Sequence, residues 1–173
     1  NLIIGGAAVS EKLKNEISAT LQFSNSPTRI FETYGMSETL SHIALKQISP
    51  IQENYFTIFN GVEISVDDRN CLRIFAPNLN PEILQTNDIV ELLNEKQFKF
   101  LGRFDNVINS GGVKIFAEEL ENLVKKHIDR DLVFLGKPDE TLGEKLILVI
   151  EDASTPLSMT EIKSQISNLK FPS

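Results

Sequence analysis

Cysteine is nearly missing from this 173-residue sequence: Cys71 is the only one. No disulfide can form within the chain, which fits a reducing, cytoplasmic setting. Positive charge is also in deficit, with 17 Lys and Arg against 24 Asp and Glu. A nucleic-acid binder carries a basic patch, so that class is set aside, and the acidity reads as solvated faces. No hydrophobic run approaches the ~18 residues of a membrane span, and no signal peptide opens the chain. Internal repeats and low-complexity tracts are lacking. What is present is ordinary for a soluble globular protein, with 41% hydrophobic and 24% charged residues. The length suits one ordinary domain or two small ones. Both ends read as cut: Asn1 leads straight into an apolar run, and Phe171-Pro172-Ser173 follows an amphipathic helix. The sequence is expected to be an excerpt of a longer protein.

The patterning divides the chain near residue 104. Leu2-Ile3-Ile4 before Gly5-Gly6 predicts a buried strand and a turn. Residues 10–22 predict a helix capped by Ser10, with Leu13, Ile17 and Leu21 on one face. Arg29 to Tyr34 predicts a strand ending at Gly35, so the first ~40 residues read as the end of an α/β unit. Short strands follow. Asn60-Gly61 predicts a hairpin between 55–59 and 62–66. Asp67 to Asn70 forms a turn before Cys71 to Phe75, where Cys71 reads as a buried small hydrophobe rather than a nucleophile. Asn94-Glu95-Lys96 joins a further hairpin. Beyond Gly102 come a strand at 104–108, a Ser110-Gly111-Gly112 turn, a helix at 117–128 and strands at 131–135 and 145–150. A capping box, Ser158-Met159-Thr160-Glu161, opens a last helix carrying Ile162, Ile166 and Leu169. The fold class is α/β and α+β: residues 1–103 hold the end of an α/β unit and a small antiparallel β subdomain, and 104–173 a small α+β C-terminal domain.

Three segments carry functional groups. In Glu32-Thr33-Tyr34-Gly35-Met36-Ser37-Glu38-Thr39 a strand ends where hydroxyls and a carboxylate crowd together, the usual place for a ligand in an α/β sheet. Ser37 can donate to a phosphate, Glu38 can hold Mg²⁺ and Tyr34 can stack on a base. The plainer reading is a helix N-terminus capped by Ser37. In Gln85-Thr86-Asn87-Asp88 a carboxylate after a turn can accept both ribose hydroxyls; a plain turn is the alternative. In Gly102 to Gly112, Arg103 can meet phosphate or ribose, Asp105 can cap a hinge, and Gly111 and Gly112 permit close backbone approach. The alternative is a hairpin with a surface salt bridge. The phosphate-loop pattern G-x-x-x-x-G-K-[ST] is not matched.

The order of these segments resembles the adenylate-forming superfamily of acyl-CoA synthetases, luciferases and peptide-synthetase adenylation domains. Its Y-G-x-T-E, T-G-D and G-R-x-D-x-x-I-x-x-x-G motifs are similar to Tyr34 to Glu38, Thr86 to Asp88 and Gly102 to Gly112. Ile115 to Glu121, Leu135 to Asp139 and Gly143-Glu144-Lys145 resemble later segments, so the resemblance covers nearly the whole chain. It departs mildly: Ser37 replaces threonine, Ala8 and Ala117 stand where proline is common, and Asn87 replaces glycine, which asparagine tolerates through its left-handed conformation.

The resemblance implies an ATP-dependent carboxylate–CoA ligase that passes through an acyl-adenylate, with ATP, Mg²⁺ and coenzyme A. Tyr34 would stack on adenine, with Glu32 and Gly35 beside it. Gly6 and Ala7 would line the acyl pocket and the adenine edge. Ser37 would meet the α-phosphate, Glu38 would bind Mg²⁺, and Asp88 would hold the ribose with Arg103. Asp105 would be a hinge, and Gly111 and Gly112 would lie against the pantetheine. The glycine-rich phosphate loop and the catalytic lysine find no match here, so the 173 residues alone are expected to be inactive. Within the superfamily, Glu32 to Lys46 and Asn109 to Ile115 are most similar to bacterial o-succinylbenzoate–CoA ligases of menaquinone synthesis, which implies Ser41 and His42 as contacts to a substrate with an aromatic ring and two carboxylates. His42 as a packed helix histidine is the alternative; His127 reads as a surface residue. Another fatty or aryl acid, or a non-catalytic nucleotide-binding module, remains open, as does a homodimer. The expected partners are a small-molecule carboxylate, ATP and CoA.

Overall fold

The computed structural model describes residues 1–6, 9, 11–22, 28–152, 157–167 and 169. The expected cap at Ser10, the candidate Ala7, the side chain of Leu21 and the last three residues lie outside the described set. The chain forms two compact units, Asn1–Phe100 and Leu101–Ser173.

In the first unit, β1 (Leu2–Ile4), α1 (Glu11–Gln22) and β2 (Ile30–Gly35) form the expected strand–helix–strand end of an α/β unit. β1 and β2 run parallel, with Leu2 opposite Ile30 and Ile4 opposite Glu32. Next come β3 (His42–Ser49), β4 (Phe56–Ile58), β5 (Glu63–Val66), β6 (Cys71–Ala76), β7 (Asn80–Asn94) and β8 (Gln97–Arg103). All join one sheet in the order β1-β2-β3-β4-β8-β7-β6-β5. Ile43, Leu72, Ile74 and Phe98 are fully buried in its core. Ile17 of α1 packs on a smaller cluster of Val9, Ile30 and Ile48.

Three expectations for this unit need correction. The strand at Leu2–Ile4 is not buried: Leu2 is 46% and Ile3 50% exposed, and among the described residues β1 pairs with β2 alone. Asn60-Gly61 makes a tight turn, with Val62 N donating to Phe59 O at 3.2 Å, but it joins no hairpin. β4 sits between β3 and β8, while β5 pairs with β6. The dipeptide fixes the local reversal; long-range pairing picks the partner. Thr86-Asn87-Asp88 is not a turn but lies inside β7. Cys71 pairs with Ile89 and Arg73 with Gln85, so these three residues bulge opposite Leu72 alone. The Asp67–Asn70 turn and the β7–β8 hairpin form as expected, and Cys71 is buried.

The second unit contains β9 (Val107–Ser110), β10 (Val113–Phe116), α2 (Ala117–Val124), β11 (Leu132–Asp139), β12 (Gly143–Ile150) and α3 (Met159–Ile166). Its sheet order is β10-β9-β12-β11. Leu120, Val124, Ile128 and Phe134 form its core, covered by Ile162, Ile166 and Leu169. Two boundaries differ from expectation. Residues 104–106 form a short 3₁₀ turn rather than strand, since Glu118 Oε1 accepts from Arg103 N (3.3 Å) and Asn106 Nδ2 (2.6 Å) and bends the segment. α2 ends at Val124, not Ile128: beyond it the chain tightens into a turn in which His127 N closes on Val124 O at 2.9 Å, three residues back. The capping box of α3 is present: Glu161 N donates to Ser158 Oγ (3.2 Å), and Ser158 N to Glu161 Oε2 (2.8 Å).

Candidate functional site

The parallel register brings the carboxyl ends of β1 and β2 to one edge, where Gly5-Gly6 and Tyr34-Gly35 lie. Ligands collect at such ends because loops there open away from the sheet. Two glycines allow the approach. A Cβ on Gly5 would strike Thr33 Oγ1, and one on Gly35 would stand 2.5 Å from His42 Cα and 2.6 Å from Ser41 O. Gly6 has φ +97 and open space around it.

Tyr34 and Asp88 are 54 residues apart, and the fold joins them: Tyr34 Oη donates to Asp88 Oδ2 at 2.6 Å. The Tyr34 ring is held edge-on by Phe98 at 5.0 Å and tilted against Phe56 at 5.8 Å. Asp88 is presented by the β7 bulge. Its amide donates to Thr86 Oγ1 (3.0 Å), and that hydroxyl donates to Leu72 O (2.8 Å), replacing a missing ladder bond. Asn87 has no positive φ, so the left-handed conformation is not what admits asparagine there.

Ser37–Thr39 form a 3₁₀ turn that packs against β7. The cap is Met36, not Ser37: buried Thr39 anchors the turn, accepting from Met36 N at 3.1 Å and approaching Ser41 O at 2.6 Å. Ser37 and Glu38 are left exposed. Leu40 closes the turn at φ 60, a strained value for leucine. Among the described residues, no three acidic, His or Cys side chains cluster to hold a metal. A lone exposed carboxylate still fits Mg²⁺, which keeps waters and shares phosphate oxygens instead of requiring a protein cage.

Glu32 is 5% exposed and internally committed. Oε1 accepts from Val9 N at 3.0 Å, and Lys46 Nζ lies 2.8 Å from Oε2 in a contact oriented for charge rather than for a hydrogen bond. His42 opens β3, so it is a strand residue and not a helix histidine. Its Nδ1 is 3.2 Å from Ser41 Oγ, its ring meets Phe59 edge-on at 5.6 Å, and both residues are exposed.

The other candidates belong to the second unit. Arg103 Nη2 lies 3.7 Å from Asp105 Oδ2, both more than half exposed. Gly111 and Gly112, at φ +58 and +84, form the two-residue turn between β9 and β10, a conformation that calls for glycine. Sequence reasoning missed Thr39 and Arg69. Arg69 Nη1 bonds Asn87 Oδ1 (3.2 Å) and Nη2 bonds Thr86 O (3.4 Å). No local pattern announces a contact across 18 residues. Beneath it, partial burial opposes ionisation of Asp67, and hydrogen bonds from Cys71 N and from the Arg69 side chain and amide outweigh it, leaving the carboxyl below its ordinary pKa.

No protein-family model matches the chain. A 2-succinylbenzoate–CoA ligase of Haemophilus influenzae is 24% identical over 185 residues, covering 99% of this chain and 38% of that protein. The crystal structure of an acyl-CoA synthetase (AMP-forming)/AMP-acid ligase II-like protein from Dyadobacter fermentans shares 37% identity and covers 96% of this chain and 48% of that one, with a TM-score of 0.54. Wild-type E. coli MenE, bound to a phenylether-linked analogue of OSB-AMS, shares the fold at 21% identity and a TM-score of 0.69, over 96% of this chain and 39% of that one. The chain spans two-fifths or less of the length of the curated relatives it matches.

Proposed function

We propose, from homologues that are AMP-forming acyl- and aryl-CoA ligases, that this chain supplies the nucleotide-facing part of such a ligase. The observation that carries this reading is the Tyr34–Asp88 hydrogen bond of 2.6 Å at the carboxyl edge of β1 and β2. It unites the two residues to which the resemblance gives adenine and ribose.

In the proposed reaction a substrate carboxylate oxygen attacks the α-phosphorus of ATP and pyrophosphate leaves. The thiol of coenzyme A then attacks the acyl carbonyl and AMP leaves. No side chain need act as nucleophile, so this chain positions groups and balances charge. Tyr34 offers a ring fixed by Phe98 and Phe56 against which a purine can lie. Asp88 accepts ribose hydroxyls. Ser37 donates to the α-phosphate, and Gly6 lets the backbone approach the nucleotide. Glu38 would hold Mg²⁺, which when bound neutralises phosphate oxygens. Asp105 serves as the hinge, and the Gly111-Gly112 turn faces the pantetheine. Glu32 acts indirectly, by fixing β2 to β3 through Lys46.

For the acid we propose o-succinylbenzoate, in menaquinone synthesis. The support is the relative aligned along 99% of the chain and the Ser41–His42 pair. Ser41 Oγ and Nδ1 stand 3.2 Å apart; in the tautomer with its proton on Nε2 the hydroxyl donates to Nδ1 and Nε2–H can meet a carboxylate. The test is ATP–pyrophosphate exchange by the full-length polypeptide carrying this chain, with o-succinylbenzoate, benzoates and fatty acids offered in turn. Exchange with o-succinylbenzoate alone is expected. Exchange with another acid would keep the reaction and discard the substrate; none with any acid would discard both. The 173 residues by themselves, without a phosphate loop or a catalytic lysine segment, are expected to release no pyrophosphate.

A further inference from the structure

We propose that Arg69 and Asn87 form a positioning pair that sets the β7 bulge and so aims the Asp88 carboxylate. The inference rests on the reading that Asp88 takes the ribose. The register breaks where three residues of β7 stand opposite Leu72 alone, so side-chain contacts bear on the shape of the strand there. Thr86 Oγ1 holds it from inside, through Leu72 O and Asp88 N. Arg69 holds it from outside, reaching Asn87 Oδ1 at 3.2 Å and Thr86 O at 3.4 Å.

Arg69 is itself fixed. Its Nε donates to Asp67 Oδ2 (2.9 Å) and its amide to Asp67 Oδ1 (2.9 Å). Asp67 also accepts from Cys71 N (2.8 Å) and from Gln85 Nε2 (2.9 Å), the latter on β7 just before the bulge. The guanidinium is thus a planar fork spanning the β5–β6 turn and the bulge, a geometry lysine cannot reproduce. Asn87 stands where the similar T-G-D motif has glycine, which has no side chain to accept from Arg69. The Asn87 side chain thus ties the bulge to the β5–β6 turn through Arg69.

Amide exchange tests the positioning without any activity. Asp88 N–H is expected to exchange about tenfold faster in Arg69→Ala and in Asn87→Gly. The double variant should be no faster than Arg69→Ala, because that change already removes the contact that Asn87→Gly removes. Val90 N–H, bonded to Asn70 O, should not change. Unchanged Asp88 exchange in Asn87→Gly, the milder substitution, would overturn the proposal, as would additive effects. In pyrophosphate exchange by the full-length polypeptide, both single variants should raise the KM for ATP several-fold while kcat and the KM for the acid hold. Asp88→Asn separates the two claims. If it leaves the ATP KM unchanged, the ribose reading fails and amide exchange alone judges the bulge. If it raises that KM and Arg69→Ala does not, the positioning proposal fails.

Discussion

Asp67 shows how a single carboxylate organises a region. Four donors from three segments converge on its two oxygens. Its folded pKa lies below the ordinary 3.8 despite the opposing effect of partial burial. A depressed folded pKa means that its stabilisation is present above the unfolded value and is lost as pH falls through the folded one. The gap in melting temperature between the parent chain and Asp67→Asn should therefore be constant near neutrality and narrow as pH drops below 3.8. A gap independent of pH would place the effect of the substitution elsewhere. Exposure limits the size of this contribution, because solvent screens the charge. Glu32 and Lys46 differ: both are mostly buried, so Lys46→Met, which strands a buried carboxylate, should cost roughly 3 kcal/mol in chemical denaturation.

At the scale of elements, the turn after β2 is set by space rather than by charge. A side chain on Gly35 would meet the backbone of Ser41 and His42, which cannot move without parting β2 from β3. Gly35→Ala should therefore destabilise the first unit by about 2 kcal/mol, and nucleotide affinity should fall with it. A thermal melt together with AMP titration of the full-length polypeptide would check both. Such elements differ in how far they could be read beforehand. The α3 capping box lies within four residues, and its reciprocal bonds were legible because donor and acceptor are local. Asn60-Gly61 misleads for the opposite reason: the turn is local, but β4 pairs with β3 before it and with the distant β8 instead of with β5.

At the scale of the molecule, the main hydrophobic clusters of the two units share no residue. Phe98→Ala opens a cavity in the first core and Leu120→Ala in the second, each worth about 3 kcal/mol. Residue-resolved amide exchange under denaturant should show protection lost mainly in the mutated unit; loss spread evenly over the chain would mean the cores unfold together. The sequence by itself determined the three helices and many of the strands, though not β3, β10 or most of β7, together with the change of pattern between an α/β end with short strands and a small α+β unit and the chemical identity of Tyr34, Ser37, Glu38 and Asp88. Periodicity, caps and turn residues act over a few positions, so they survive without a fold. Tertiary structure alone decided that β4 lies between β3 and β8 and that Tyr34 meets Asp88. It also decided that Arg69 grips Asn87. Those outcomes depend on which distant strands pair and in what register, and backbone hydrogen bonds carry no side-chain signature by which one sequence position could announce its partner.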